Sequence, residues 1–286
     1  MNKVSAGPDS TSGHFRNYDQ FRTRFTGNRT TRLWVELLRI QCAVSLREDL
    51  KFFFNSPAFQ NAGSVLDLGC GPGDLIRTLS AYFPDKKYTG VDISKDYIRL
   101  AEKHNGKQGN VKFIRGDIYD YQGSKFDYMI LRLVAQHLPD HSAMLKCLKR
   151  LLNKNGHVLI IDTVDALNKF SDPMPVLAKM YGELTELQAK CGGNRRAVDD
   201  IENKCHEAGF MARISLRCPV FAYADEEKAL ILRMYMFVSE IIARKFGVSV
   251  NQKNLYKELS AWRKKKGSYG QIGMKYLELR QSRPGK

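Results

Sequence analysis

The chain has 286 residues, of which 43% are hydrophobic and 27% are charged. This composition is ordinary for a folded globular protein and argues against a disordered chain, and the length fits one large domain or a domain with an insertion. The formal net charge of +16 predicts a surface that attracts anions, which leaves nucleic acid, anionic membranes and acidic metabolites open as partners.

The six cysteines are scattered and form no C-x-x-C pair. Reduced, buried thiols are therefore expected, and a metal site is not expected. The first residues, MNKVSAGPDSTSGHF, contain no apolar stretch of signal-peptide length. No segment reaches the roughly 18 apolar residues that a membrane span needs. The expected location is therefore the cytoplasm.

Residues 1–60 are expected to form a helical N-terminal cap, because apolar residues recur at helical spacing in LWVELLRIQCAVSLREDLKFFF. Residues 61–286 are expected to form one α/β domain. Five apolar segments typical of strands follow in order: SVLDLGC, KYTGVDIS, VKFIRGDI, KFDYMILRLV and HVLIIDTV. They alternate with segments typical of helices, among them DLIRTLSAYF, KDYIRLAEKHN and PDHSAMLKCLKRLLNKNG. Such alternation predicts parallel strands in an α/β sheet.

After Asp165 the pattern changes to two mainly helical insertions, expected at about 165–208 and 225–266. Between them MARISLRCPV is typical of a strand, and IGMKYLELR is typical of a final strand. The insertions contain aromatic and methionine residues that would suit the wall of a site for a flat or apolar small molecule, although residues at helical spacing more often belong to the core. These residues are Phe170, Met174, Met180, Tyr181, Met234, Tyr235, Met236 and Phe237.

The stretch SVLDLGCGPGDL leads a strand through a glycine-rich turn into a helix, which places a ligand at the carboxyl end of the sheet. A dinucleotide fingerprint would require glycine at position 74, where this chain has an aspartate. Asp67 before the turn and Asp74 after it would repel a pyrophosphate and attract a cation. The expected ligand is therefore positively charged, at least locally.

S-adenosylmethionine (SAM) meets this requirement, because it carries a sulfonium and an ammonium group beside a nucleoside. Glycines in the turn would let the main chain approach it closely: Gly69, Gly71 and Gly73. Asp92 ends the second strand in GVDIS, at the place where an acidic side chain reaches ribose hydroxyls. Asp117 in RGDI would accept a hydrogen bond from the adenine amino group, with Ile93 and Ile118 as the apolar walls of the base site.

Each acid also has an ordinary structural interpretation. Asp67 could face solvent at the end of its strand, and Asp117 could cap the next turn. Asp74 could instead favour the helix N-terminus electrostatically, and the sequence does not decide between its two roles. For Asp67, Asp92 and Asp117 the cofactor role is favoured, since a carboxylate buried without a partner is costly.

The motifs VLDLGCGPGDL, GVDIS, GDI and FDYMILRLVAQHLPD resemble, in order and spacing, those of class I SAM-dependent methyltransferases. GGNRRAVDDIENKCHEAGF is similar to the segment before the sixth strand in small-molecule methyltransferases of the ubiquinone/menaquinone-biosynthesis type. The continuous resemblance covers about residues 65–161. It implies a Rossmann-like, mostly parallel seven-stranded sheet whose antiparallel last strand is IGMKYLELR, with SAM as cofactor and S-adenosylhomocysteine as product.

Further candidate cofactor contacts come partly from the resemblance and partly from the residues themselves. Family members place a residue just after the fourth strand against the methionine moiety, which selects the backbone of Leu131 and Arg132. Cys70 lies within the glycine-rich turn and belongs to the same candidate set. Tyr18, with Arg22 and Arg29, could close over the cofactor, where an arginine would suit its carboxylate. The alternative for this segment is an exposed basic helix.

His137 in QHLPD is the candidate catalytic residue, because a neutral imidazole can take a proton from a hydroxyl or amine near pH 7. A structural role at the start of the following helix is the favoured alternative. Methyl transfer from a sulfonium requires no metal or covalent catalyst, only an acceptor held in line with the methyl group. The expected activity is methyl transfer to an O or N atom of a small molecule, with an aromatic or apolar acceptor suiting the insertions.

Two other functions stay open. The charge is compatible with a nucleic-acid (RNA) methyltransferase, although LRLV replaces the Asn/Asp-Pro-Pro-aromatic motif of enzymes that methylate base amino groups. A non-catalytic protein could also retain the SAM-binding fold, but the three acids at positions 67, 92 and 117 argue against it. The sequence does not predict the oligomeric state.

Overall fold

A computed structural model describes residues 29–105 and 108–282, with side chains from Thr31 onward. The helices in this part of the chain are α1 (Arg29–Asn55), α2 (Pro57–Gln60), α3 (Asp74–Tyr82), α4 (Lys95–Asn105), α5 (His141–Leu151), α6 (Pro175–Lys190), α7 (Ala197–Lys204), α8 (Asp225–Phe246) and α9 (Gln252–Lys264). The strands are β1 (Ser64–Leu68), β2 (Lys87–Asp92), β3 (Val111–Arg115), β4 (Phe126–Arg132), β5 (Leu152–Thr163), β6 (Lys169–Phe170), β7 (Phe210–Arg217), β8 (Val220–Ala222), β9 (Gly270–Ile272) and β10 (Met274–Gln281).

The main sheet has seven strands in the order β3-β2-β1-β4-β5-β10-β7. Strands β1 to β5 pair in parallel, and β10 is antiparallel to both of its neighbours. The predicted seven-stranded sheet with an antiparallel last strand is therefore confirmed. The chain turns outward in opposite directions from the central pair β1 and β4, so a crevice forms at their carboxyl ends, where ligands bind in such sheets.

Two hydrophobic cores lie on the two faces of the sheet. Successive residues of β4 alternate between them, as the two-residue period of a strand requires. Tyr128 and Ile130 join one core, whereas Met129 and Leu131 join the other. Because both faces are covered, the central strands are apolar almost throughout, and the buried carboxylate of Asp67 in β1 is an exception.

The described part of the N-terminal region is helical, as predicted. Helix α1 packs against α8 and buries an apolar stripe that includes Val35, Leu37 and Ile40. The helical insertions that follow β5 and β7 are also present, as α6 with α7 and as α8 with α9. The division of the chain at residue 60 into a cap and a domain stays a prediction. No helix in the described ranges is long and apolar enough to cross a membrane.

Two local predictions were wrong, and one small sheet was missed. The helix expected to continue to Gly156 ends at Leu151, because Leu152 is buried and pairs with Phe126 as the first residue of β5. The single strand expected over MARISLRCPV is divided into β7 and β8 on either side of Pro219, which has no N–H to donate to a ladder. A small sheet in the order β6-β9-β8 was not predicted, since these strands have only two or three residues.

Candidate active site

The glycine-rich turn after β1 is held against the end of β2. The backbone N–H groups of Gly69 and Cys70 both donate to the carbonyl of Val91, at 2.7 and 3.1 Å. Gly69 has a φ of +77°, and a Cβ built there would lie 2.5 Å from Cγ2 of Val134. Glycine is required at this position both for its backbone conformation and for the close approach of the neighbouring chain.

Gly73 is required for close packing at the start of α3. It has a φ of +80° at the N-cap of α3, and a Cβ there would lie 2.9 Å from the ring of Phe113 and 3.0 Å from Ala101. These contacts allow α3 to start close to α4 and β3. The predicted cofactor contact of Gly73 stays a prediction, as does that of the buried Gly71, whose φ is +54°.

Asp92 connects the end of β2 to the turn. Its carboxylate accepts hydrogen bonds from the N–H of Gly71 at 2.9 Å and from the N–H of Ser94 at 2.8 Å. Burial raises the pKa of Asp92, and these two N–H donors oppose that rise. An ionised carboxylate has about four lone-pair sites, so two bonds to the backbone leave capacity for hydroxyl groups of a ligand.

Asp67 is the least satisfied acid of the site. Its side chain is 3% exposed, and the hydrogen bonds formed among the described residues include none to its carboxylate. Burial raises its pKa to about 7, with Asp92 acting in the same direction and Arg132 opposing both. Because a buried carboxylate without a donor is costly, Asp67 is suited to a cationic ligand. The solvent-facing alternative for Asp67 does not hold.

A cavity of about 420 Å³ adjoins Asp67. The turn contributes Gly69, Cys70 and Gly71 to its wall, and β4 contributes Arg132. The structure thus brings five of the predicted cofactor residues together around one space. Three further wall residues were not predicted. Leu38 and Cys42 come from α1, and Leu133 directly follows β4.

Asp74 also lies on this wall, at the first turn of α3, and is engaged by cations of the protein. Nη2 of Arg77 lies 2.7 Å from its Oδ1, and Nε of Arg39 lies 3.8 Å from its Oδ2. These ion pairs and its position at the helix start are what the electrostatic interpretation of Asp74 requires.

The candidate residues for the adenine site lie just after β2 and β3. These two strand ends are joined by a hydrogen bond from the N–H of Gly116 to the carbonyl of Asp92 at 3.0 Å. Oδ1 of Asp117 accepts from the N–H of Tyr119 at 2.9 Å, so this residue does cap the next turn. Ile93 is 64% exposed and accessible to a ligand, whereas Ile118 is 8% exposed and packs in the core. The adenine site thus stays a prediction.

The segment at the end of β4 passes from the hydrophobic core at Leu131 to the cavity wall at Arg132 and Leu133. The side chain of Leu131 is fully buried in the core, so only its backbone can meet a ligand. Nε of Arg132 lies 2.9 Å from Oδ2 of Asp49 in α1. Leu133 has a φ of +57°, an uncommon conformation for a leucine, and strained residues of this kind cluster at functional sites.

A second cavity, of about 1040 Å³, meets the first at Leu38, Arg132 and Leu133, which line both. Its walls are mainly apolar and come from α1, α6, α8 and the ends of β4, β5 and β10. They include Trp34, Leu37, Met234, Val238, Ile241 and Phe246. A concave space whose wall is mainly apolar, with polar groups grouped on one side, is typical of a small-molecule site.

The predicted aromatic and methionine wall is only partly present. Tyr181, Met234 and Tyr235 line the large cavity. The other five members of the set pack into or against the core, for example Phe170, whose ring lies 5.1 Å from that of Trp262, and Met180, which is 1% exposed. The core interpretation of these residues was correct.

One part of the cavity wall is polar. Arg195 forms two contacts with Asp165, from Nε to Oδ2 at 2.8 Å and from Nη2 to Oδ1 at 2.5 Å, and its Nη1 donates to Oε1 of Gln136 at 2.7 Å. Because Asp165 neutralises Arg195, this wall offers hydrogen-bond donors without a net charge. Gln188 also lines this wall, and its Nε2 donates to the backbone carbonyl of Gln136 at 2.9 Å. None of these three residues, Gln136, Gln188 and Arg195, was predicted.

His137 belongs to the same wall and is accessible from the cavity. Although the side chain of His137 is exposed, the protein atoms around the ring partly desolvate it and lower its pKa to about 4, and the positive charges of Arg195 and Lys245 act in the same direction, so the imidazole is neutral at pH 7. The helix-start role expected for His137 belongs instead to Asp140, whose carboxylate accepts from the N–H of Ala143 at 2.8 Å as α5 begins.

The cover suggested for the cofactor falls largely outside the described part of the chain. Tyr18 and Arg22 lie outside the described residues, and Arg29 is described only through its backbone. Within the described ranges, no group of three or more histidine, cysteine or acidic residues could hold a metal ion.

Comparisons with known proteins agree with this fold. The family model described as a methyltransferase domain matches residues 60–218, which is more than half of the chain. The chain belongs to this family, and its sheet is that of the class I methyltransferases. The O-MT region of StiE matches with a TM-score of 0.51 and 16% identity, over 87% of this chain and 78% of that one. A phosphoethanolamine N-methyltransferase of Haemonchus contortus matches with a TM-score of 0.50 and 16% identity, over 77% and 49%.

Among curated proteins, the chain is similar to a demethylmenaquinone methyltransferase of Staphylococcus aureus (strain JH9). The two are 31% identical over 121 residues, which are 41% of this chain and 47% of the relative. The chain thus matches about half the length of this relative.

Proposed function

We propose that this protein transfers the methyl group of SAM to a small, largely apolar molecule. The observation that carries the proposal is the meeting of two cavities at Leu38, Arg132 and Leu133. One cavity has a buried carboxylate suited to a cation, and the other is large and apolar. This arrangement provides separate places for a methyl donor and for an acceptor, in contact with each other.

The first cavity fits SAM on the character of its residues. Asp67 would face the positive charge of the cofactor, and Asp92 would accept hydrogen bonds from the ribose hydroxyls. Asp117 and Ile93 would lie at the adenine. When bound, SAM supplies an electrophilic methyl group, and the protein's contribution is to hold the acceptor in line with it and to exclude water.

The second cavity favours an acceptor without a full charge. Its two arginines are largely shielded from solvent and each is paired with an aspartate, Arg132 with Asp49 and Arg195 with Asp165. A charged acceptor would therefore lose its hydration without gaining a free counter-ion. The name of the Staphylococcus relative indicates a quinone as its substrate, and an apolar ring system of that class would suit these walls.

The activity can be tested with SAM carrying a radiolabelled methyl group. The protein is incubated in turn with a short-chain demethylmenaquinol, with an organic extract of small molecules and with tRNA. We expect label in the organic phase and none above background in the tRNA precipitate. Label found only in tRNA would overturn the small-molecule acceptor and support the nucleic-acid alternative.

The cytoplasmic location expected from the sequence stays a prediction.

SAM affinity should decrease as the pH falls from 7 to 5.5. Because burial raises the pKa of Asp67 to about 7, acidification protonates this carboxylate and removes the charge that attracts the cofactor. A loss of about 10-fold is expected over this interval, where the α-amino group of SAM stays protonated. Calorimetric titration at both pH values checks this, with circular dichroism to verify folding. The Asp67→Asn variant should bind weakly and with little pH dependence; an equally steep dependence in that variant would rule out Asp67 as the cause.

A further inference from the structure

Helix α9 carries a stripe of lysines on its solvent side. Lys253, Lys257 and Lys264 are exposed and lie within about 40° of one another around the helix axis, because their spacing of four and seven residues returns to the same face. The stripe is about 16 Å long. The opposite side of α9 is packed against the protein through three buried residues, Leu255, Leu259 and Trp262.

The acids in the described part of the chain leave this stripe positively charged. Ion pairs formed among the described residues involve three other lysines and none of the stripe. Glu258, the acid of α9, instead accepts hydrogen bonds from the N–H groups of Val176 and Leu177 at 3.0 and 2.9 Å, where α6 begins. Lys253 and Lys257 are four residues apart and repel each other, which destabilises the helix. A stripe kept in this form attracts an anionic partner.

The stripe begins beside the opening of the apolar cavity. Nε2 of Gln252 at the start of α9 donates to Oε2 of Glu240 at 2.8 Å, so α9 starts next to the last turns of α8. Phe246 at the end of α8 and Trp34 in α1 both line that cavity. Nζ of the exposed Lys245 lies 5.2 Å from the ring centre of Phe246 and 5.6 Å from that of Trp34. Tryptophan is enriched at membrane–water interfaces, where lysines keep their charge among the headgroups.

We propose that the basic face formed by Lys245, Lys253, Lys257 and Lys264 docks on an anionic lipid bilayer and turns the opening of the apolar cavity toward it. The choice of a membrane over another anionic partner rests on the proposed function, because an apolar acceptor dissolves in lipid and would enter the cavity from there. The apolar side of α9 is buried in the protein, so the helix does not insert and the contact is mainly electrostatic. Each lysine close to such a surface increases the affinity about 5-fold.

The test measures cosedimentation of the full chain with vesicles of phosphatidylcholine containing about 30% phosphatidylserine, and with vesicles of phosphatidylcholine alone. We expect at least about 100-fold tighter binding to the anionic vesicles, and loss of most of this preference at about 0.5 M salt, which screens exposed charges. A triple variant with Lys253→Gln, Lys257→Gln and Lys264→Gln should bind the anionic vesicles about 100-fold more weakly, since three contributions of about 5-fold are removed.

The matched control removes three exposed lysines near the amino ends of β2, β3 and β5, by Lys87→Gln, Lys112→Gln and Lys154→Gln. Both triple variants then have the same net charge, and less than about a 3-fold loss is expected in the control because its lysines lie away from the basic face. The proposal is overturned if the stripe variant loses no more affinity than the control, or if the parent binds both kinds of vesicle equally. Binding to tRNA without binding to anionic vesicles would also overturn it, in favour of nucleic acid.

Tryptophan fluorescence of the parent tests the orientation of the cavity. The chain has two tryptophans, and Trp262 is 2% exposed, so quenching by brominated lipids reports Trp34. We expect quenching on anionic vesicles; bound protein without quenching would contradict the orientation. Calorimetry with SAM separates the two proposals. Vesicle binding without SAM binding would remove the proposed function alone, whereas SAM binding without vesicle binding would remove the docking surface alone.

Discussion

Replacement of Asp92 by alanine should weaken SAM binding by at least about 100-fold, because hydrogen bonds to a charged group contribute about 1.5–3 kcal/mol each and two ribose hydroxyls would lose their acceptor. The variant also removes the acceptors of Gly71 N–H and Ser94 N–H, so the turn after β1 loses its link to β2. Isothermal titration calorimetry of the parent and the variant measures the difference.

Asp120→Ala is the matched control, since Asp120 is an exposed acid in the turn after β3 and its removal changes the net charge by the same amount. We expect its SAM affinity to equal that of the parent. Asp92→Asn should also bind weakly, because both carboxylate oxygens face N–H donors and an amide nitrogen would oppose one of them. Unchanged affinity in both Asp92 variants would exclude this residue from the cofactor site.

Replacement of Asp49 by asparagine should lower the free energy of unfolding by about 3–5 kcal/mol, the usual cost of removing one partner from a buried ion pair. Asp49 is 0% exposed and interacts with Nε of Arg132 at 2.9 Å. It also accepts hydrogen bonds from the hydroxyls of Ser45 at 2.7 Å and Tyr276 at 2.5 Å. The guanidinium of Arg132 would stay buried without its counter-ion. Urea unfolding monitored by circular dichroism measures the change.

The control for this experiment is Asp225→Asn, which breaks an ion pair with Arg263 at the surface, where the Asp225 side chain is 63% exposed. Solvent screens such a pair, and no measurable change in the urea midpoint is expected. Equal stabilities of the two variants would show that the Asp49–Arg132 pair does not hold α1 on the sheet. Because Arg132 lines both cavities, Asp49→Asn should also reduce SAM affinity.

The part of the site that the sequence predicts is local in the chain. The glycine-rich turn follows β1 directly, and Asp92 ends the next strand, so a strand–turn–helix pattern is enough to place both at one edge of the sheet. The seven-stranded, mostly parallel sheet and its antiparallel last strand, β10, were expected from the resemblance of the motifs to class I methyltransferases. The sheet forms because its apolar strands are buried by hydrophobic cores on both of its faces.

The rest of the site depends on contacts between distant segments. Arg132 and Asp49 are 83 residues apart, and Arg195 and Asp165 are 30 apart, with no spacing pattern that links them. Leu38 faces both cavities because α1 lies across the crevice, which the periodicity of α1 alone does not reveal. For the same reason Phe170 and Met180 resembled a ligand wall in the sequence, although tertiary packing directs them to the core.

A crystal structure with S-adenosylhomocysteine tests most directly whether the two cavities serve a methyl donor and an acceptor. The proposed function predicts the amino group of this ligand next to Asp67, its ribose hydroxyls on Asp92, and its sulfur at the junction formed by Leu38, Arg132 and Leu133, facing the apolar cavity. Binding of the ligand elsewhere, or with its sulfur directed away from that cavity, would contradict the assignment.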